Sequence, residues 1–343
     1  MSAGANANAA QPAAPAPEHD VQPINGLAPD AAFRAIFDGL WNDGEIAAYL
    51  IALSDRGETP AEIAAAATEL RARMLPVEAP PGAIDVCGTG GDGAHTLNVS
   101  TAVAIVVAAC GTPVAKHGNR AASSRCGAAD VLGALGLDLN QTPARAEACL
   151  AEIGIAFLFA PNHHPAMARV APIRRALGRR TVFNLVGPLA NPAAVTRQLV
   201  GVFAPAWVER TAEALRLLKA DRALVVHGRD GLDELSPGGP THAAWLNDDT
   251  VTVQPDFEPE AAGLRRWPAG ALTGGDAAHN AAALTALVQG ARGAYRDAVL
   301  LNAAAALIVA GEAGDLAGGA ALAAQAVDSG AARDLLARWV AFR

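Results

Sequence analysis

Residues 83–93 read Ala83-Ile84-Asp85-Val86-Cys87-Gly88-Thr89-Gly90-Gly91-Asp92-Gly93, a short apolar run followed by four glycines within six residues. The run has the make-up of a strand buried on both faces. Glycine lets the backbone after it turn sharply and gather several N–H groups into one concavity, which suits phosphate oxygens. The spacing is not Gly-x-Gly-x-x-Gly, and an aspartate is unusual inside a dinucleotide loop; a plain connector is the alternative. Asn98-Val99-Ser100-Thr101 then introduces a uniformly apolar helix. Ser100 suits a helix N-cap. It equally suits a second anion cradle at a helix start, or a ligand to a magnesium ion that already holds a phosphate, and these uses compete for one oxygen.

Outward from this stretch, β-rich segments at 83–87, 113–115, 155–159, 198–202 and 222–226 alternate with helical ones. The helices fall at 101–109, 128–135, 143–153, 207–219, 277–288, 295–309 and 317–329. Such alternation predicts a mainly parallel sheet covered by helices, with ligands gathered at the carboxyl ends of the strands. Upstream, residues 28–75 are helical throughout, with a capping box at Thr59-Pro60-Ala61-Glu62 and a second start at Asn42-Asp43. This unit is small, and its apolar faces need a partner. Ala79-Pro80-Pro81-Gly82 breaks the pattern. The expected organisation is a disordered tail over 1–27, a small helical domain over 28–79 joined by part of 160–190, and a large α/β domain over 80–343.

Three further segments carry charge. Lys116-His117-Gly118-Asn119-Arg120-Ala121-Ala122-Ser123-Ser124 follows the strand at 113–115 and packs cations, an imidazole, an amide and hydroxyls around a glycine. Alone it could be a solvated loop; as the third anion-compatible loop within 37 residues (88–124) it is harder to dismiss. His163-His164-Pro165 leads into a basic run with Arg174-Arg175 and Arg179-Arg180, and the histidine pair lacks the further ligands zinc needs. His227-Gly228-Arg229-Asp230-Gly231-Leu232-Asp233-Glu234 places adjacent carboxylates in a loop after a strand: an acidic surface, or a way to hold Mg²⁺ together with phosphate oxygens.

Composition narrows the classes. The net charge of −8 argues against a general nucleic-acid binder but permits a local basic pocket. Cys87, Cys110, Cys126 and Cys149 show no Cys-x-x-Cys and no zinc spacing, as expected of reduced thiols in a cytoplasmic protein. Apolar stretches are interrupted before they could span a bilayer, and no signal pattern opens the chain, so no membrane association is expected.

From about residue 32 to the C-terminus the ordered motifs resemble the anthranilate phosphoribosyltransferases, glycosyltransferases that move a pentosyl group in tryptophan biosynthesis. The stretches that carry the resemblance are 85–93, 98–101, 116–124, 157–167, 181–192, 227–236, 274–280 and 293–307. It implies an α/β protein of the nucleoside phosphorylase and phosphoribosyltransferase type, with a small helical N-terminal domain and a large domain built on a mainly parallel sheet. It also implies a homodimer through the helical domain, Mg²⁺, and transfer from phosphoribosyl pyrophosphate to anthranilate.

Carried over motif by motif, the donor contacts are Gly88, Gly91, Asp92, Thr96, Asn98, Val99, Ser100, Thr101 and Ala128, together with Lys116, His117, Gly118, Asn119, Arg120, Ala121, Ala122, Ser123 and Ser124. Lys116 and Asp92 are the catalytic candidates, and Ser100, Asp233 and Glu234 the metal ligands. Gly88, His117, Asn119, His164 and Arg174 face anthranilate. Ala128 and Cys126 stand where serine is commoner in such proteins, and His279 where glutamate is. The rival readings are a pyrimidine-nucleoside phosphorylase, whose third loop differs from Lys116-His117-Gly118-Asn119-Arg120, and a relative that binds nucleic acid without this catalysis.

Overall fold

The computed structural model describes residues 26–121 and 125–343. The expected tail over 1–27 therefore lies almost wholly outside the described residues, as do Ala122, Ser123 and Ser124.

Seven strands form one sheet: β1 (Ile84–Gly88), β2 (Val114–Gly118), β3 (Ile155–Phe159), β4 (Arg197–Gly201), β5 (Arg222–Gly228), β6 (Thr241–Asn247) and β7 (Thr250–Phe257), in the order β3-β2-β1-β4-β5-β6-β7. The first five are parallel, and β6 and β7 add antiparallel at one edge. The parallel strands are short apolar runs because helices cover both faces. Side chains alternate accordingly: Leu199, Leu224 and Val226 join one core, while Val200, Ala223 and Val225 join the other. The sequence pattern missed β6 and β7. They are joined by Asp248-Asp249, both at positive φ (48° and 59°), a tight hairpin turn made without the usual Asn-Gly, and β7 carries Pro255, which only an edge strand tolerates.

The first core packs helices such as Val99–Ala109 and Ala294–Ala310 on one sheet face. The second joins the N-terminal helices (Pro29–Phe37, Asp43–Arg56 and Pro60–Arg71) to residues 170–190, to helix Val208–Leu217 and to the opposite sheet face. The anticipated capping box on Thr59 is present, and the helix start expected at Asn42 turns out to be a capping box as well. One expectation needs correction. The apolar faces of the helical unit do not await a partner, because Ile46, Leu50, Leu53 and Ile63 are fully buried within the chain, against residues 170–190 and helix Val208–Leu217.

Chain order makes the site. From β1 the sheet grows one way through β2 and β3 and the other way through β4 and β5, so β1 and β4 flank a switch point where loops diverge and leave a crevice.

Candidate active site

At the carboxyl end of β1, Gly88 pairs in register with Gly201 on β4. Together they form a notch. A Cβ on Gly88 would lie 2.4 Å from Asp233 Oδ2, and one on Gly201 would lie 1.5 Å from the Asp233 carbonyl oxygen, so any side chain here expels the acidic loop. Into this notch the loop after β5 brings Asp233 and Glu234. Gly90 N–H donates to Asp233 Oδ2 at 2.7 Å, and Ser100 N–H donates to Glu234 Oε1 at 3.1 Å. Fully buried Asn302 fixes the loop from behind: its amide donates to the Leu235 carbonyl and accepts from the Leu235 N–H, each at 2.9 Å. No local motif marks Asn302. It lies in the helix Ala294–Ala310, far along the chain, and only folding brings it to the loop.

Ser100 is not the N-cap that its sequence context suggested. The helix opens at Val99 after Asn98, with no side-chain cap, and Ser100 lies one residue inside. Its Oγ accepts from Lys116 Nζ at 3.3 Å. Lys116 itself belongs to β2 rather than to a solvated loop: it is 1% exposed, and its Nζ donates to the Val86 carbonyl at 2.7 Å. Beneath it, buried Asp85 accepts from His117 N–H at 3.2 Å and from Asn191 Nδ2 at 2.8 Å. Burial raises Asp85 to about 6 against the opposing pull of Lys116. Neither Asp85 nor Asn191 was singled out in advance, although a lone acid inside an apolar strand is a signal.

A cavity of about 660 Å³ opens over these groups. Gly88, Gly91, Asp92 and Thr96 reach it from the loop after β1, and Asn98, Val99 and Ser100 from the helix start. The end of β2 and the turn after it supply Lys116, His117, Gly118, Asn119, Arg120 and Ala121, and the next helix supplies Ala128. Asp233, Glu234, His164 and Arg174 complete the anticipated set. Thr101 departs from it: its side chain turns into the core and does not line the cavity. Asn98 lines the wall with its amide already engaged, donating to the Cys126 carbonyl at 3.2 Å and accepting from Asn280 at 2.9 Å.

The carboxylate cluster is electrostatically uncomfortable. Asp233 and Glu234 keep some exposure to the cavity but are otherwise enclosed by protein. Both are raised above the ordinary carboxylate range, first by burial and then by like charge, from Asp92 on Asp233 and from Asp233 on Glu234. A divalent cation would relieve that repulsion, so the residues fit magnesium. Among the described residues no group of three or more His, Cys, Asp or Glu side chains could hold a metal unaided. Mg²⁺ usually binds through one or two carboxylates, water and substrate phosphates, which matches this sparse set.

The other end of the cavity differs. The rings of His117 and His164 meet edge to face, with centroids 5.1 Å apart. His117 Nδ1 lies 3.0 Å from the Gly187 carbonyl and so carries the proton, which leaves Nε2 as a buried acceptor without a partner. Burial and then proximity to His164 push His117 down to about 3; burial and then His163 push His164 to about 4. The neighbouring His163 serves structure, its Nδ1 bonding the Leu75 carbonyl at 3.0 Å. Half-buried Arg174 lies over the Phe183 ring, 5.7 Å from its centroid, and donates to Asn184 Oδ1 at 3.4 Å. Met167, Ala168 and Ala171 add an apolar wall that the sequence pattern did not single out.

The "Glycosyl transferase family, a/b domain" matches residues 80–333, and the "Glycosyl transferase family, helical bundle domain" matches 30–74. The anthranilate phosphoribosyltransferase of Novosphingobium aromaticivorans is 57% identical over 327 residues, covering 95% of this chain and 98% of that one. Among solved structures, the anthranilate phosphoribosyltransferase of Thermus thermophilus superposes with a TM-score of 0.86 at 46% identity, covering 92% of this chain and 94% of the other. The Saccharomyces cerevisiae enzyme, in complex with PRPP and Mg, does so with a TM-score of 0.84 at 28% identity, over 91% of this chain and 92% of that one. With its sheet, its helical bundle and nine-tenths of its length in common with these proteins, the chain belongs to the anthranilate phosphoribosyltransferase family.

Proposed function

We propose that this protein transfers the phosphoribosyl group of phosphoribosyl pyrophosphate to anthranilate, giving N-(5-phosphoribosyl)anthranilate and pyrophosphate, a step of tryptophan biosynthesis. The observation that carries the reading is the meeting, in one cavity, of a glycine loop, Lys116 and the Asp233–Glu234 pair with a second end formed by His117, His164 and Arg174.

Cleavage of the bond between ribose C1 and pyrophosphate builds positive charge on the sugar and negative charge on the leaving group. The backbone of Gly91 and Asp92 and the Lys116 Nζ are in place at the cavity before the reaction, which is what makes such stabilisation effective. Ser100, Asp233 and Glu234 would hold Mg²⁺, which when bound neutralises charge on the pyrophosphate. Asp92 accepts from Ala94 N–H at 3.1 Å and so braces the glycine loop from within. Anthranilate's amine is neutral near pH 7, so the acceptor end needs to position rather than deprotonate strongly. Two neutral imidazoles suit that task, and Arg174 supplies a planar cation for the carboxylate. The assembly is a homodimer through the helices of residues 28–74, a reading supported by the family resemblance and by Leu40, which is 74% exposed on that unit.

Product formation from anthranilate and phosphoribosyl pyrophosphate tests the reading, set beside phosphorolysis of thymidine or uridine and binding of single-stranded DNA, with sedimentation of the same preparation. Phosphorolysis without anthranilate turnover refutes the substrate assignment, and an active monomer refutes the dimer. No helix among the described residues is long and apolar enough to cross a membrane.

A further inference from the structure

A loop made largely of glycine has few side chains with which to hold its own shape: Thr89 Oγ1 donates to the Gly90 carbonyl at 3.3 Å, and Asp92 accepts from Ala94 N–H at 3.1 Å. Gly90, Gly91 and Gly93 sit at φ of 63°, 78° and 79°, a region glycine enters freely and leaves as freely. The rest of its conformation is set from outside. At its base Thr89 N–H donates to the Gly201 carbonyl at 2.9 Å, and Phe203 N–H donates to Thr89 Oγ1 at 3.0 Å. On the cavity side Gly90 N–H is held by Asp233, the very carboxylate proposed to turn toward a cation. On the outer side, among the described residues, Arg180 reaches the loop: its Nη2 donates to the Gly91 carbonyl.

We propose that Arg180 is a positioning residue that shapes the glycine loop for the donor's pyrophosphate, an inference that rests on the donor reading above. Arg180 does not line the cavity, so the Gly91 carbonyl it holds is drawn outward. In a planar trans peptide the carbonyl and the next N–H point in opposite directions, so the Asp92 N–H is turned to the other side, toward the cavity. The guanidinium is itself fixed: it lies over the Phe203 ring, 4.2 Å from the centroid, and Phe203 is the residue whose N–H anchors Thr89. Its backbone is fixed too. Ser54 Oγ donates to the Arg180 carbonyl at 3.1 Å, and neighbouring Arg179 bonds Ser54 Oγ at 3.1 Å and Asp55 at 2.5 Å. A closed bracket thus runs from helix Asp43–Arg56 through Arg180 to the loop, and the helical unit helps set the shape of a site formed on the sheet.

The test compares Arg180→Ala, Arg180→Lys and Phe203→Leu with Arg175→Ala as a surface control. Two readouts are needed: steady-state constants for both substrates, and hydrogen exchange of the amides of residues 88–95 in substrate-free protein. For Arg180→Ala the apparent KM for phosphoribosyl pyrophosphate should rise on the order of 10-fold, the size of a lost charge-assisted hydrogen bond. The KM for anthranilate should stay within about twofold, as for a substitution remote from its pocket. Exchange in the loop should quicken on the order of 10-fold as local opening becomes easier. Arg180→Lys should fall between, since an ammonium can reach the carbonyl but cannot lie flat on the ring. Phe203→Leu should reproduce the pattern in weaker form. Unchanged loop exchange in Arg180→Ala, or an equal rise of both constants, overturns the proposal. Wild-type turnover decides the donor reading separately, because the exchange result does not depend on it.

Discussion

The two ends of the cavity are built from different materials. At the end proposed for the donor the polar groups are backbone N–H groups and short side chains on adjacent loops: Gly90 to Asp233, Ser100 to Glu234, and Lys116 reaching across from the next strand. Charge is concentrated there, and the carboxylates repel one another. At the end proposed for the acceptor the groups are long side chains from a strand, a loop and a helix, held in an apolar wall, and the imidazoles are kept neutral by burial. The donor end is thus a charged cradle that needs a counter-ion. The other end is a largely apolar slot in which the Arg174 cation sits near neutral imidazoles.

Removing charge from the cradle should give the largest effect. Asp233→Asn should lower turnover at low Mg²⁺ on the order of 10²–10³-fold, the loss seen when one electrostatic contact to a transition state is removed. Raising Mg²⁺ should restore part of it. Stability should move the opposite way: one of three mutually repelling acids is gone, so the melting temperature should hold or rise. Wild-type rates at low Mg²⁺ would remove Asp233 from the metal site.

The slot should answer to its cation alone. Arg174→Ala should weaken apparent anthranilate affinity by about 10- to 150-fold, the cost of about 1.5–3 kcal/mol for a hydrogen bond to a charged group. The constant for phosphoribosyl pyrophosphate should scarcely change. Steady-state titration of each substrate checks this, and an effect confined to the donor would place Arg174 at the wrong end.

The smallest effect concerns the neutral imidazoles and is read as stability against pH. Unfolded histidine titrates near 6.5, roughly, while folded His117 and His164 are depressed to about 3 and about 4. Between those values the unfolded chain binds more protons, so acid destabilises the fold through these two residues. The raised acids Asp85, Asp233 and Glu234 slope the other way, so only a difference isolates the histidine. From pH 7 to pH 5, His164→Asn should lose about 1–2 kcal/mol less stability than wild type. A gap in melting temperature that does not change with pH would mean that His164 takes up protons alike in the folded and unfolded chain, and is not depressed by burial.

The charged end of the cavity was legible in the sequence because its chemistry is local. Four glycines after an apolar strand, an adjacent acid pair and a lysine at a strand end are short motifs that announce backbone turns and charge wherever they occur. The mainly parallel sheet followed from the alternation of strands and helices, and the capping box at Thr59 from a four-residue pattern. What lay out of reach was long-range. Gly201 is an ordinary strand glycine until Asp233 lies against it, Asn302 an ordinary helical residue until it grips Leu235, and Arg180 one of several arginines until it meets Gly91. That part of 160–190 joins the helical unit was expected, but the covering of its apolar faces by helix Val208–Leu217 and the sheet was equally invisible. Hydrophobic period and glycine content act over a few residues and therefore show in one dimension. Which side of the sheet a helix covers, and which distant carbonyl a guanidinium finds, depend on the packing of the whole chain.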